Sequence, residues 1–196
     1  MTRGPCDRMT EMVPDASPGT SASTTLFSGT DIAEILVARG WLAESQDWGS
    51  HNALASWLKR TAELLGPHAG DRASLADLLA LIFSYDAAAL CREAESQDVL
   101  TREGAREVIR ELANLVLDAG DVDSDVFKEI IDGIKAALPQ RSRELFHPVR
   151  LALAGRVGQG ELDRVILLLD SAAKLPFAVQ VKGTRERMLE FCTALD

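Results

Sequence analysis

Residues 141–169 read RSRELFHPVRLALAGRVGQGELDRVILLL, and this stretch decides the fold of the chain. Its apolar spacing predicts a helix near residues 141–152, in which Pro148 sets a helix start. Three closely spaced glycines predict a loop at residues 155–160, and the apolar positions after it predict a second helix over residues 162–169. The stretch therefore predicts two helices joined by a glycine-rich loop.

The composition of the whole chain agrees with helices. The chain has 196 residues, of which 46% are hydrophobic but only 5% are Phe, Trp or Tyr. Leu and Ala dominate the apolar residues, and both favour helices over strands. We predict an all-α protein that is long enough to bury a core as one domain or as two small helical bundles.

Cysteines and apolar runs indicate the compartment. Cys6, Cys91 and Cys192 are too few and too far apart for a disulfide framework or a closely spaced zinc site, so we expect free thiols. The N-terminus has no apolar run typical of a signal peptide, and charges break every later apolar stretch before the roughly 20 residues that cross a bilayer. We expect a soluble cytoplasmic protein with no membrane contact, no metal and no cofactor.

Apolar periodicity and breaker residues divide the rest of the chain. Predicted helices cover residues 30–40 with Thr30 as the N-cap, 54–65 before Gly66 and Pro67, 74–94 as one long buried segment, 101–120 with Thr101 at the start, 126–138, and a terminal helix through 188–195. Residues 175–183 carry a weak signal for a strand or an extended linker. Residues 44–51 are mostly polar and predict a loop from which Trp48 packs onto the core.

Three segments follow from these elements. Residues 1–24 are rich in Ser, Thr, Pro and Gly and predict a flexible tail. Residues 25–120 form a predicted N-terminal helical bundle. The acidic connector at residues 121–125 is the predicted boundary to a C-terminal bundle over residues 121–196. We expect a helix start there rather than a calcium loop, since the Gly and Glu of an EF-hand are absent.

Charge is spread unevenly along the chain. The net charge is -9, which argues against indiscriminate binding to nucleic acid. Residues 135–174, however, contain seven basic and four acidic residues, a local charge of +3, so the remainder carries -12. A basic patch on an acidic body is typical of a protein that contacts RNA at one place. An ordinary fluctuation of surface charge is the alternative.

Within the basic patch, LFHPVRLALAGR at residues 145–156 resembles the anticodon-binding region of bacterial glutamyl-tRNA synthetases. The shared pattern is a hydrophobic pair, Pro, a hydrophobic residue, Arg and then an Ala-Leu-small-Gly run, and Glu161 with Leu162 follows at the spacing of that family. A looser resemblance begins at Leu54 and includes Asp71, Arg72 and the apolar run after them. The resemblance implies an all-α fold with two small bundles.

The resemblance also implies which residues contact tRNA. In that family the Arg of the Pro-hydrophobic-Arg motif and the loop before the last conserved helix contact anticodon bases, and an upstream Arg helps to read the third letter. The RNA-binding residues predicted on this chain are Arg150, Gln159, Gly160, Leu162, Arg72 and Arg156. Bases turned out of an RNA loop can stack on a guanidinium group, and a glycine-rich turn lets backbone amides approach them.

Other interpretations of the same residues stay open. Arg150 could pair with an acidic neighbour, and His147 is more often a partly buried histidine with a partner than a ligand to RNA or metal. The family commonly has Pro where Gly160 stands and often Thr where Ala154 stands. These departures predict a more flexible loop and looser anticodon discrimination.

Catalytic motifs are missing from the sequence. It has no HIGH-type or KMSKS-type motif of a class I synthetase, no Walker loop, no Cys/His cluster and no GxSxG elbow. We predict a stand-alone, non-catalytic tRNA-binding module, with a catalytic synthetase polypeptide acting in trans as a second partner. The alternative is a helical protein-interaction module that kept the fold and lost RNA binding. A fragment of a longer gene product is disfavoured by Met1 and the tail.

Overall fold

A computed structural model describes residues 27–44 and 52–195. In these residues the chain forms ten α-helices, one short 3-10 turn and no strand, so the all-α prediction is confirmed. The helices are α1 (Gly29–Ala38), α2 (Asn52–Leu65), α3 (Arg72–Phe83), α4 (Ala87–Leu90), α5 (Ala94–Leu100), α6 (Ala105–Asp118), α7 (Ser124–Ala137), α8 (Ser142–Ala154), α9 (Glu161–Ala173) and α10 (Thr184–Leu195). The predicted tail at residues 1–24, Cys6 and the predicted packing of Trp48 lie outside the described residues.

The N-terminal cap of α1 differs from the prediction. Ser28, not Thr30, is the N-cap: its hydroxyl accepts a hydrogen bond from the Asp31 N–H at 3.3 Å. The Asp31 carboxylate accepts one from the Ser28 N–H at 2.7 Å, which completes a capping box. Thr30 already lies inside the helix, so its hydroxyl cannot serve the first free amides.

The long helix predicted over residues 74–94 is interrupted. Helix α3 ends at Phe83 because Ser84 is extended, with ψ at 90°. The hydroxyl of Tyr85 donates to the Ala152 carbonyl of α8 at 2.5 Å, and Asp86 then caps the short helix α4. This tertiary contact outweighs the helix propensity of the Ala-rich segment, so the prediction of one helix was wrong.

Two further sequence predictions of helix starts were wrong. Thr101 ends α5 rather than starting α6, since its hydroxyl donates to the Gln97 carbonyl at 2.8 Å. Gly104, with φ at 79°, turns the chain into α6. Pro148 lies inside α8 and is buried. Because proline has no backbone N–H, one hydrogen bond is missing in the second turn of α8. The packing of the flanking residues keeps the helix intact.

One buried cluster of apolar side chains runs through all the long helices. Helices α2 and α3 pack against α9, α6 packs against α8, and α10 packs against α6 and α8. The indole N–H of Trp57 in α2 donates to the Leu168 carbonyl of α9 at 3.3 Å. The division into two bundles near residue 120 stays a prediction. No helix in the described part of the chain is long and apolar enough to cross a bilayer.

A buried arginine fixes the end of α8, where the glycine-rich loop begins. Arg187 of α10 is completely buried, and its guanidinium donates to the carbonyls of Leu153, Leu81 and Ile82 at 2.8, 2.9 and 2.7 Å. These carbonyls belong to the last turns of α8 and α3, which carry the negative ends of the helix dipoles. Burial lowers the pKa of Arg187 to about 10, so the group stays charged at neutral pH.

Candidate RNA-binding site

A cleft of about 480 Å³ lies where α5, α8 and the glycine-rich loop meet. Helix α5 contributes Glu95, one face of α8 contributes Arg143, His147 and Arg150, and the loop contributes residues 157–160. The cleft therefore lies on the stretch that resembles the anticodon-binding region. It brings together three of the predicted RNA-binding residues: Arg150, Gln159 and Gly160.

The spacing along α8 explains how one helix serves both the core and the cleft. Arg143, His147 and Arg150 are four and three residues apart, which places them on one side of a helix. Leu145 and Val149 face the opposite way and are fully buried. The polar side of an amphipathic helix thus forms the wall of the cleft.

Arg150 is held by bonds within the protein. Its Nε and Nη2 donate to the two carboxylate oxygens of Asp163 at 2.7 and 2.8 Å, and its Nη1 donates to the Gly158 carbonyl at 2.9 Å. The guanidinium also lies over the ring of Phe146, 4.8 Å from its centroid. The structure thus shows the pairing with an acidic neighbour, and this pairing ties the loop to the start of α9.

Two loop glycines lie in close contact with neighbouring side chains. Gly155 ends α8 with φ at 78°, and a Cβ there would lie 3.2 Å from Tyr85 Cδ2. A Cβ at Gly158 would lie 2.8 Å from Leu162 Cδ1, which is closer than real Cβ atoms approach. The loop therefore packs tightly against α4, its preceding turn and the first turn of α9.

Gly160 adopts a conformation that suits proline. Its φ of -64° and ψ of -17° match the second residue of a type I turn, a position that favours Pro. The turn is closed by the Leu162 N–H, which donates to the Gln159 carbonyl at 3.1 Å, and nothing lies within 4 Å of a Cβ at Gly160. The backbone of this loop thus keeps the shape that the Pro of the family would impose.

His147 lies between arginines. Its Nδ1 is 3.3 Å from Nη1 of Arg102, which precedes α6. Burial lowers the pKa of His147 below its usual value, and the positive charges of Arg102, Arg150 and Arg143 lower it further, against the opposing effect of Glu95. The imidazole is therefore neutral at neutral pH in the unbound protein.

The remaining predicted residues occupy different positions. Arg156 is exposed beside the loop and takes part in no ion pair among the described residues. Leu162 is fully buried, so its side chain supports the loop from below. Arg72 is the first residue of α3, does not line the cleft, and pairs with Glu34 at 2.9 Å. Direct contact of these residues with RNA stays a prediction.

Sequence reasoning did not assign Glu95, Arg102 or Arg143 to the site. The spacing of Arg143, His147 and Arg150 along α8 is a local signal that could have indicated the first of them. Glu95 lines the cleft, and Arg102 reaches His147, because α5 packs against α8. No local pattern could predict that contact.

Comparison with known proteins identifies the family. The model of the anticodon binding domain family matches residues 34–173, which is well over half of the chain and includes every residue of the cleft. The chain therefore belongs to this family.

A named relative agrees with this assignment. Glutamate–tRNA ligase 2 of Syntrophus aciditrophicus (strain SB) is 29% identical over 136 residues, which cover 65% of this chain and 26% of the relative. The chain spans about a quarter of the length of that relative, in keeping with the sequence resemblance to a part of the synthetase. No solved structure matches the chain.

Proposed function

We propose that the chain binds tRNA through the cleft and the exposed residues beside it, and that it does not itself catalyse aminoacylation. The observation that carries this proposal is the convergence of Arg143, His147, Arg150 and residues 157–160 on one concave surface of an otherwise acidic protein. Arg and polar side chains beside a glycine-rich turn suit the bases and phosphates of an RNA loop.

The bonds within the site divide the roles of its residues. Arg150 uses three N–H donors in hydrogen bonds to Asp163 and Gly158, so it positions the loop. Arg143, Arg156 and Gln159 are exposed. In the proposal these three side chains contact RNA, and Arg150 keeps Gln159 in place.

Titration of the protein with tRNA at several salt concentrations tests the proposal. Each Arg that contacts a phosphate contributes about one unit to the slope of log K against log salt. Arg143→Ala and Arg156→Ala should each weaken binding and reduce the slope by about one unit. Arg60→Ala is the matched control, because Arg60 is an exposed residue of α2 outside the cleft. Absence of binding at about 50 mM salt contradicts the proposal.

A partner in trans is the second part of the proposal. In this arrangement the chain recognises tRNA and a separate catalytic polypeptide supplies aminoacylation. Its support is the match to the anticodon binding domain over residues 34–173, without the HIGH-type and KMSKS-type motifs of a synthetase.

Pull-down of the tagged chain, with and without ribonuclease, tests the partner. Recovery of tRNA together with a synthetase polypeptide supports the arrangement. Recovery of another protein with no RNA favours the interaction-module alternative.

A further inference from the structure

The histidine of the cleft has a hydrogen-bonding arrangement that depends on its protonation. A guanidinium group has donors only, so Nδ1 of His147 must accept the 3.3 Å bond from Arg102. The proton of the neutral ring is therefore on Nε2. If Nδ1 also gained a proton, two donors would face each other and this bond would be lost.

The charges that shift the pKa of His147 come from three segments of the chain. Helix α8 contributes Arg143 and Arg150, the segment before α6 contributes Arg102, and α5 contributes Glu95. The loop residues that line the cleft, 157–160, have no titratable side chain. Asp163 neutralises the charge of Arg150. The positive charges of Arg102 and Arg143 are then opposed by the carboxylate of Glu95.

We propose that the cleft holds one backbone phosphodiester of the RNA between Arg102, Arg143 and His147, and that binding transfers one proton from the solvent to Nδ1 of His147. This inference rests on the proposed function and specifies the group that the site recognises. Arg102 then turns its freed donor to one phosphate oxygen, and the imidazolium donates to another. No covalent bond forms or breaks besides the N–H bond made with the solvent proton.

The physical reason is compensation of charge. In the unbound protein the neighbouring arginines disfavour a proton on His147. A phosphate anion beside the ring offsets the remaining positive charge, attracts the imidazolium and accepts its hydrogen bond, so it raises the pKa of His147. A phosphodiester does not itself titrate near neutral pH, so any proton taken up must bind the protein.

Proton linkage gives the proposal a specific signature. Because the bound state holds one more proton, the affinity for RNA should rise by up to tenfold for each unit by which the pH falls, over the range between the free and bound pKa of His147. Glu95→Gln removes the carboxylate that opposes the phosphate. We expect this variant to bind RNA about two- to fivefold more tightly.

Calorimetry of binding in two buffers of different ionisation enthalpy measures the proton directly. The probe is a short RNA hairpin with a seven-nucleotide loop, titrated into the full chain at low salt and at several pH values between about 5.5 and 7.5. We expect the unaltered protein to take up a fraction of a proton that passes through a maximum in this range, His147→Gln to take up none, and the control His68→Gln to behave like the unaltered protein. His68 is an exposed histidine outside the cleft.

The outcomes separate this inference from the proposed function. Binding of the hairpin without proton uptake, or equal uptake by His147→Gln, overturns the inference and leaves RNA binding intact. No binding at low salt overturns both. Inorganic phosphate that binds as tightly as the hairpin would show a site for a free anion, and this result also overturns the inference.

Discussion

The bridge between Arg150 and Asp163 allows a quantitative prediction about the loop. Three charge-assisted hydrogen bonds of 2.7, 2.8 and 2.9 Å hold the guanidinium, and the two side chains are 12% and 22% exposed. Exposed ion pairs contribute about 0.2–1 kcal/mol, whereas removal of one partner from a buried pair costs about 3–5 kcal/mol. We therefore expect Arg150→Met to lower the free energy of unfolding by about 2–3 kcal/mol.

A double-mutant cycle isolates the bridge. Asp163→Asn should cost a similar amount, and the double variant should be only about 0.5 kcal/mol worse than either single one, which gives a coupling energy of about 1.5–2.5 kcal/mol. Urea denaturation measures the free energies, and the melting temperature should fall by about 5–10 °C in each single variant. The exposed pair of Lys59 and Glu63, 3.9 Å apart, is the control and should show no measurable coupling. A coupling below about 0.5 kcal/mol between Arg150 and Asp163 refutes the reasoning.

Three further variants test other parts of the structure. Gly160→Pro should raise the free energy of unfolding by about 0.4–1 kcal/mol, because φ is already -64°; a loss of stability in urea contradicts the turn geometry. Arg187→Met leaves buried carbonyls without a donor and should cost at least about 3 kcal/mol, measured by thermal unfolding. A cost within experimental error would mean that the helix ends do not need this cap. The depressed pKa of His147 means that the unfolded chain binds its proton more tightly, so stability is complete above a pH of about 6.5 and declines as the pH falls below it. The His147→Gln variant should lack this pH-dependent part of the free energy of unfolding between about pH 7.5 and about 5.5. A pH profile of stability that is the same in the variant and the unaltered protein argues against this contribution of His147.

The sequence predicted the elements whose signals are local. The helices α8 and α9 and the loop between them follow from apolar periodicity and from glycines, and the structure gives Gly155 a positive φ and Gly158 a close contact with Leu162. The same local signals failed where a distant contact decides the structure. The break after α3 depends on the bond of Tyr85 to Ala152, which lies 67 residues further along the chain.

The candidate site shows the same division. Arg150, Gln159 and Gly160 came from a motif contained in one stretch, and the structure brings them to one cleft. Glu95 enters this cleft from α5, Arg102 bonds to His147 from the segment before α6, and the partner of Arg150 is 13 residues away on α9. Charge neutralisation between such residues is a property of the folded state, so a motif cannot show which arginine is available to a ligand.

Mapping of tRNA contacts by amide chemical shifts tests the central claim most directly. An isotope-labelled sample of the full chain is titrated with tRNA at low salt, and the perturbed amides are placed on the structure. We predict that the largest changes cluster at Arg143, His147, Arg156 and residues 158–160. Changes that concentrate around Arg60 or Arg110 on other helices, or no saturable change at all, would contradict the claim that this cleft binds tRNA.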